Sequence, residues 1–174
     1  MASMLTLRQP RPEDEALAVA IHCDPSVARY LWTSPRLDFT SAQRWFHMAC
    51  SPEDGAFFPA ILERGETIGF GWFSNADGCN AMLSIAFLRH RGKGLGYEAT
   101  RLLLAYAFGA LGLHRVSTTV VEANVPALRL AEQFGTLEGR MREAWPREAG
   151  PNSDVLIFGI LRSEWAAIQE AANG

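Results

Sequence analysis

The sequence predicts an α/β fold, a mixed sheet flanked by helices, in a single domain over residues 1–174. Three observations carry that expectation. Apolar residues recur at helical spacing near the start, in the middle and at the end of the chain. Between them, AFFPAILE, ETIGFGWF and NAMLSIAFL are short β-rich runs separated by RG and NADG turn signals, the pattern of an antiparallel meander. After the meander, helical and strand-like segments alternate, as in α/β proteins. The predicted order is β α α α β β β α β α β β α.

Taken in order, MLTLR (residues 4–8) reads as a first strand. PEDEALAVAIH places proline and three acids in a first helical turn, where the helix dipole favours negative charge. SVARYL is a second short helix, and SAQRWFHMAC a third that starts near Thr40 or Ser41 and ends before Pro52. The meander follows, then RHRGKGLGYEATRLLLAYAF, in which Leu95, Ala99, Leu102, Leu103 and Tyr106 form an apolar stripe with Glu98 and Arg101 off it. HRVSTTVVE is β-branched and strand-like. VPALRLAEQF has Pro126 in its first turn, Gly135 as its stop, and Ala127, Leu130, Ala131 and Phe134 on its apolar face. LEGRMR and DVLIFGIL are closing strands around EAWPREAGPNS, and Ser163 is the expected cap of a last helix, EWAAIQEAA.

The composition excludes several classes. With 48% hydrophobic and 20% charged residues the chain reads as globular, and its net charge of −3 gives no global attraction for nucleic acid or an anionic membrane. Cys23, Cys50 and Cys79 are odd in number and far apart, a poor disulfide framework that suits a reducing compartment. No segment approaches the ~20 apolar residues of a membrane span, and the first residues do not read as a signal peptide, so a cytoplasmic location is expected. No His/Cys spacing resembles a metal site.

The glycines at the mouth of the central helix are the first chemical clue. A P-loop fails because Lys93 is followed by Gly94, with no hydroxyl for magnesium. A dinucleotide fingerprint fails because Gly92, Gly94 and Gly96 alternate and follow a meander. What remains is a helix N-terminus whose unpaired amides and positive dipole end suit an anion, with glycines that let a diphosphate reach the backbone. A tight turn carrying surface charge is the alternative.

RGKGLGYEATRLLLAYAFGALGLHRVSTTVVEANVPALRLAEQFGTLEG, with ARYLWTSP before it and DVLIFGILRSEW after it, resembles the GNAT superfamily of acetyl-CoA-dependent N-acetyltransferases. The signature Q/R-x-x-G-x-G/A reads here as Arg91, Gly94 and Gly96. The likeness is greatest to the branch of ribosomal-protein N-terminal acetyltransferases and spermidine acetyltransferases. It implies a mostly antiparallel sheet of six to seven strands, splayed between strands four and five, and a homodimer. It also implies that the pyrophosphate of acetyl-CoA lies on the amides of Arg91, Gly92, Lys93, Gly94, Leu95, Gly96 and Tyr97. The pantetheine arm would pair with the main chain of Ser84, Ile85 and Ala86. Asn124 matches the family asparagine that contacts pantetheine, and it is also placed to cap the next helix.

Amide formation needs a neutral amine, a proton acceptor, donors for the oxyanion and, helpfully, an acid near the sulfur. Relatives carry serine or tyrosine where this chain has Ala127 and Ala131, neither of which can donate a proton. Glu122 is the first candidate base. Ser84 could orient a water, and Asp154 and Glu143 are weaker candidates. His22 has a suitable ordinary pKa but ends what reads as a surface helix. The oxyanion is assigned to backbone N–H groups near Ala86 and Phe87. For the acceptor, Trp32 is the expected wall, with Tyr30 and Phe39 as alternatives. Spermidine acetyltransferases tend to carry acids where Thr33 and Ser34 stand, which disfavours a polyamine, although Asp38 and Glu53 keep it open. The expected reaction is acetyl transfer to a primary amine, preferably a protein or peptide N-terminus. A small-molecule amine and a non-catalytic acyl-CoA-binding module are the rivals.

Overall fold

The computed structural model describes residues 5–31, 38–50, 58–88, 94–147 and 150–173. Its elements run β1 (Thr6–Arg8), a 3-10 turn (Pro12–Asp14), α1 (Glu15–Cys23), α2 (Pro25–Ala28), α3 (Phe39–Ala49), β2 (Phe58–Glu63), β3 (Thr67–Ser74), β4 (Asn80–Phe87), α4 (Leu95–Phe108), β5 (Arg115–Val121), α5 (Val125–Phe134), β6 (Thr136–Trp145), β7 (Ser153–Leu161) and α6 (Arg162–Asn173). The predicted element order is reproduced. The seven strands lie in the order β1-β2-β3-β4-β5-β7-β6. β1 with β2, β2 with β3, β5 with β7 and β6 with β7 are antiparallel, whereas β4 and β5 are parallel. The parallel ladder comprises three residue pairs, Asn80–Met82 against Arg115–Ser117.

The chain divides into two compact units, residues 1–76 with 83–103, and residues 77–82 with 104–174. In the first, Ala18, Ile21, Phe46, Ile61, Phe70 and Ala86 form a buried cluster, with Trp45 and Trp72 packed on it. Arg8 grips the buried Asp14 at 2.7 and 2.8 Å, and the Arg11 N–H donates to the same carboxylate. Burial alone would raise the Asp14 pKa, but these donors outweigh it and hold the carboxyl below its ordinary value. In the second unit, Val120, Ala131, Leu156 and Phe158 form the core, and Trp165 of α6 packs on Phe108 and Phe134.

Three local readings are corrected. Helix α3 begins at Phe39, because Asp38 caps it by accepting the Ser41 N–H at 2.7 Å. Ser163 is not a cap but lies inside α6: β7 runs directly into the helix, and Glu164 reaches back to the Leu161 N–H at 2.8 Å. His22 does not lie on a surface. It is 2% exposed, and its ring stacks at a tilt on Trp45, 4.2 Å between centroids.

Candidate active site

Strand β4 carries an irregularity where the pantetheine arm is expected. Ala81 and Leu83 are buried and then Ala86, so the two-residue alternation changes phase across the half-buried Ser84 and Ile85. The Leu88 N–H donates to the Ile68 carbonyl of β3 at 3.1 Å, so the Phe87 N–H one residue earlier points to the other edge of β4. Gly69 of β3 lies under this stretch. A Cβ there would stand 2.6 Å from the Ala86 carbonyl oxygen and 2.9 Å from Cδ1 of Phe87. Only glycine lets β3 approach β4 so closely.

Gly94 precedes α4 with φ of +74°, a conformation open to glycine, and among the described residues nothing lies within 4 Å of where its Cβ would be. The helix bonds begin with the Tyr97 N–H, which donates to the Gly94 carbonyl at 3.2 Å. The amides of Leu95 and Gly96 therefore precede the ladder, at the positive end of the dipole. Leu95 itself is buried and Tyr97 is exposed. Bare backbone with open space above it fits the diphosphate of acetyl-CoA. Arg91, Gly92, Lys93 and Trp32 lie outside the described residues.

The second group of candidates gathers where β5 ends and β7 begins. The Glu122 N–H donates to the Asp154 carbonyl at 2.9 Å, which sets the two side chains beside each other. Arg140, on β6, then spans them: Nη2 and Nη1 reach the two Glu122 carboxylate oxygens at 2.9 and 3.2 Å, and Nη1 reaches Asp154 Oδ2 at 2.6 Å. Asp154 Oδ1 accepts the Glu143 N–H at 2.8 Å. That bond holds Glu143 at φ of +53°, within an irregularity of the β6–β7 register between Met141 and Trp145. The Glu143 N–H first, and Arg140 after it, keep the Asp154 carboxyl below its ordinary pKa. Beside the cluster lies a cavity of about 330 Å³ lined by Glu122, Ala123, Arg147, Asn152, Ser153 and Asp154.

Asn124 precedes α5, yet its side chain makes no capping bond to the first turn. Ala131 is 9% exposed and packs in the cluster with Val120, Leu156 and Phe158, while Ala127 lies against the same cluster. Both alanines face the core. Tyr30 is half-buried, with the Arg29 guanidinium over its ring at 4.8 Å, and Phe39 is largely exposed. Asp38 is engaged as the cap of α3. The sequence reading missed Arg140, Ser153 and Gly69, whose roles depend on strand order and register rather than on any local motif. Among the described residues there is no group of three or more metal-ligating side chains, and no helix is long and apolar enough to cross a membrane.

Known proteins place this arrangement. The Acetyltransferase (GNAT) domain family matches residues 4–136. An uncharacterized N-acetyltransferase, p20 of Bacillus licheniformis, is 29% identical over 170 residues, covering 93% of this chain and 95% of that protein. A putative ribosomal N-acetyltransferase, YdaF of Bacillus subtilis strain 168, is 29% identical over 109 residues, 60% of this chain and 59% of that one. The spermidine N-acetyltransferase of Vibrio cholerae, solved with CoA and spermine, superposes with a TM-score of 0.85 at 23% identity over 94% of this chain and 98% of its own, a likeness of fold. With the family match spanning most of its length, and the glycine turn and seven-stranded sheet in place, the chain belongs to the GNAT acetyltransferase family and is an acetyl-CoA-dependent N-acetyltransferase.

Proposed function

We propose that the chain, as one domain over residues 1–174, transfers the acetyl group of acetyl-CoA to a primary amine of a small molecule. The observation that carries this is the cavity of about 330 Å³ lined by Glu122 and Ala123 at the end of β5, at the low end of the size range of small-molecule sites. In this reading the diphosphate rests on the amides around Gly94–Tyr97, and those of Arg91–Lys93 extend the cradle. Pantetheine pairs with the main chain of Ser84–Ala86 and contacts Asn124. The neutral amine attacks the thioester carbonyl, and the Phe87 N–H, pointing away from β3, is the donor aimed at the developing oxyanion. The C–N bond forms, the C–S bond breaks, and the amine proton leaves to Glu122 directly or through a water held by Ser84. With alanine at 127 and 131, the thiolate departs without a proton from α5 and is protonated by solvent. A coenzyme A thiolate is a tolerable leaving group.

A peptide N-terminus is the second reading, favoured by the name given to YdaF. Thiol release from acetyl-CoA, followed with a chromogenic thiol reagent, separates the readings across peptides, polyamines, amino sugars and amino acids. Small amines are expected to outrun peptides. Turnover of peptides alone would establish the second reading, and acetyl-CoA binding without turnover of any amine would leave a binding module. Glu122→Gln is expected to slow thiol release roughly 100-fold. An unchanged rate would exclude Glu122 as the base.

A further inference from the structure

The cavity beside Glu122 carries a charge pattern that bears on which amine it accepts. Two carboxylates line it, but their oxygens are already engaged. Both Glu122 oxygens and Asp154 Oδ2 accept from Arg140, and Asp154 Oδ1 accepts from the Glu143 N–H. Each of these oxygens keeps a second lone pair, so Glu122 can still take the amine proton, but the groups with no partner among the described residues are donors. Arg147, Asn152 and Ser153 line the same cavity, and among the described residues none of their side chains has a hydrogen-bond or ion-pair partner. Ser153 also belongs to that lining: the residue is 9% exposed, and its hydroxyl, which is not among the buried unpartnered atoms, is open to the cavity.

A polyamine fits this lining poorly. Counting Arg140 and Arg147, two guanidiniums stand against the two carboxylates, so the cluster carries no net negative charge with which to hold a polycation. The unpaired guanidinium, hydroxyl and amide together suit an oxyanion, for which arginine offers planar, two-pronged donation. We infer that the acceptor is an amine that also bears a carboxylate, an amino acid rather than a polyamine, with Arg147, Asn152 and Ser153 holding the carboxylate. This rests on the reading of the cavity as the acceptor site of a small-molecule acetyltransferase. It adds a specificity that the fold does not dictate.

Matched pairs that differ only by the carboxylate test it: lysine against cadaverine, arginine against agmatine, phenylalanine against phenethylamine. Thiol release is measured with the full chain, its Arg147→Ala and its Ser153→Ala variants, alongside the thermal shift given by acetyl-CoA. The carboxylate-bearing member of at least one pair is expected to exceed its partner in kcat/KM by roughly tenfold or more, the worth of a charge-assisted hydrogen bond. In Arg147→Ala that margin should collapse through KM, with the decarboxylated member and the acetyl-CoA shift unchanged, and Ser153→Ala should narrow it partly. Equal use of both members, preference for cadaverine or spermidine, or a margin that survives Arg147→Ala overturns the inference while acetyl transfer itself stands. Loss of the acetyl-CoA shift in Arg147→Ala also overturns it, by assigning that guanidinium to the cosubstrate. If acetyl-CoA binds but no amine in the panel releases thiol, the transferase reading falls first and the inference with it.

Discussion

At the scale of single residues, His22 is a buried polar group of the first unit whose burial carries a cost. Among the described residues neither buried ring nitrogen has a partner, and the ring is walled by Trp45 and Trp72. Burial pushes its pKa down to about 4, so the folded protein keeps it neutral. The folded value lies below the unfolded one of about 6.5, so the unfolded chain takes up the proton first as pH falls. His22 therefore costs nothing through protonation above about pH 6.5, and stability declines from there down through about pH 4. By linkage the loss at pH 4.5 is about 2.5 kcal/mol relative to pH 7.5. His22→Leu removes both the titration and the two orphan nitrogens. Urea unfolding at the two pH values should show a gap narrower by that amount, together with a gain at pH 7.5 of about 1 kcal/mol or more from the absent unsatisfied groups. A gap of the same width in the variant would mean that other groups set the acid limb.

At the scale of elements, the proposed pairing of pantetheine with β4 makes the close approach of β3 at Gly69 a link between stability and cosubstrate binding. A methyl group at position 69 meets backbone, the Ala86 carbonyl, and must displace β4. At Gly71 it meets only the flexible end of Leu103, at 2.8 Å. Gly69→Ala is expected to cost about 1–3 kcal/mol and to raise KM for acetyl-CoA several-fold, whereas Gly71→Ala should lose stability with KM unmoved. Urea midpoints and acetyl-CoA titrations of the two variants check this, and equal KM values would disconnect β4 from the pantetheine. None of this could be read from TIGFGWF alone, because a glycine's neighbour is fixed by register. The helices and strands themselves were legible, since the stripe from Leu95 to Tyr106 and the β-branched VSTTVV state their periods locally. The same contrast holds at the candidate site. Gly94 and Gly96 announced a turn at a helix mouth, and Asn124 a strand end. Arg140, 18 residues from Glu122 and 14 from Asp154, reaches both only because β7 lies between β5 and β6. Asp38 reads from the sequence as an acid that keeps a polyamine acceptor open, and its role as the cap of α3 emerged only when that helix was found to begin at Phe39.

At the scale of the whole molecule, the chain carries a net charge of −3 and yet its cosubstrate is a polyanion. General attraction cannot bring the two together, so the favourable field has to be local. At 0.15 M ionic strength charges beyond about 8 Å are screened, so under the proposed placement the partners expected to count are the amides of Leu95 and Gly96, the end of the α4 dipole, and Arg91 and Lys93. The anchor of acetyl-CoA should accordingly be its diphosphate rather than its acetyl end. Ligand that binds only the folded chain stabilises it by about 2.7 kcal/mol at 100 times its Kd. For a chain of this length that corresponds to a rise in Tm of roughly 5–10 °C. Acetyl-CoA and CoA should produce nearly the same rise. Acetylpantetheine, which keeps the thioester and the arm but lacks the diphosphate, should produce less than about 2 °C at equal concentration. Raising the salt to 1 M should shrink the acetyl-CoA shift, because a contact between phosphate and exposed amides is partly screened. Differential scanning fluorimetry with the three ligands at both salt concentrations reads all of this. An acetylpantetheine shift equal to that of acetyl-CoA would locate the binding energy on β4, and leave the glycines before α4 as a turn and nothing more.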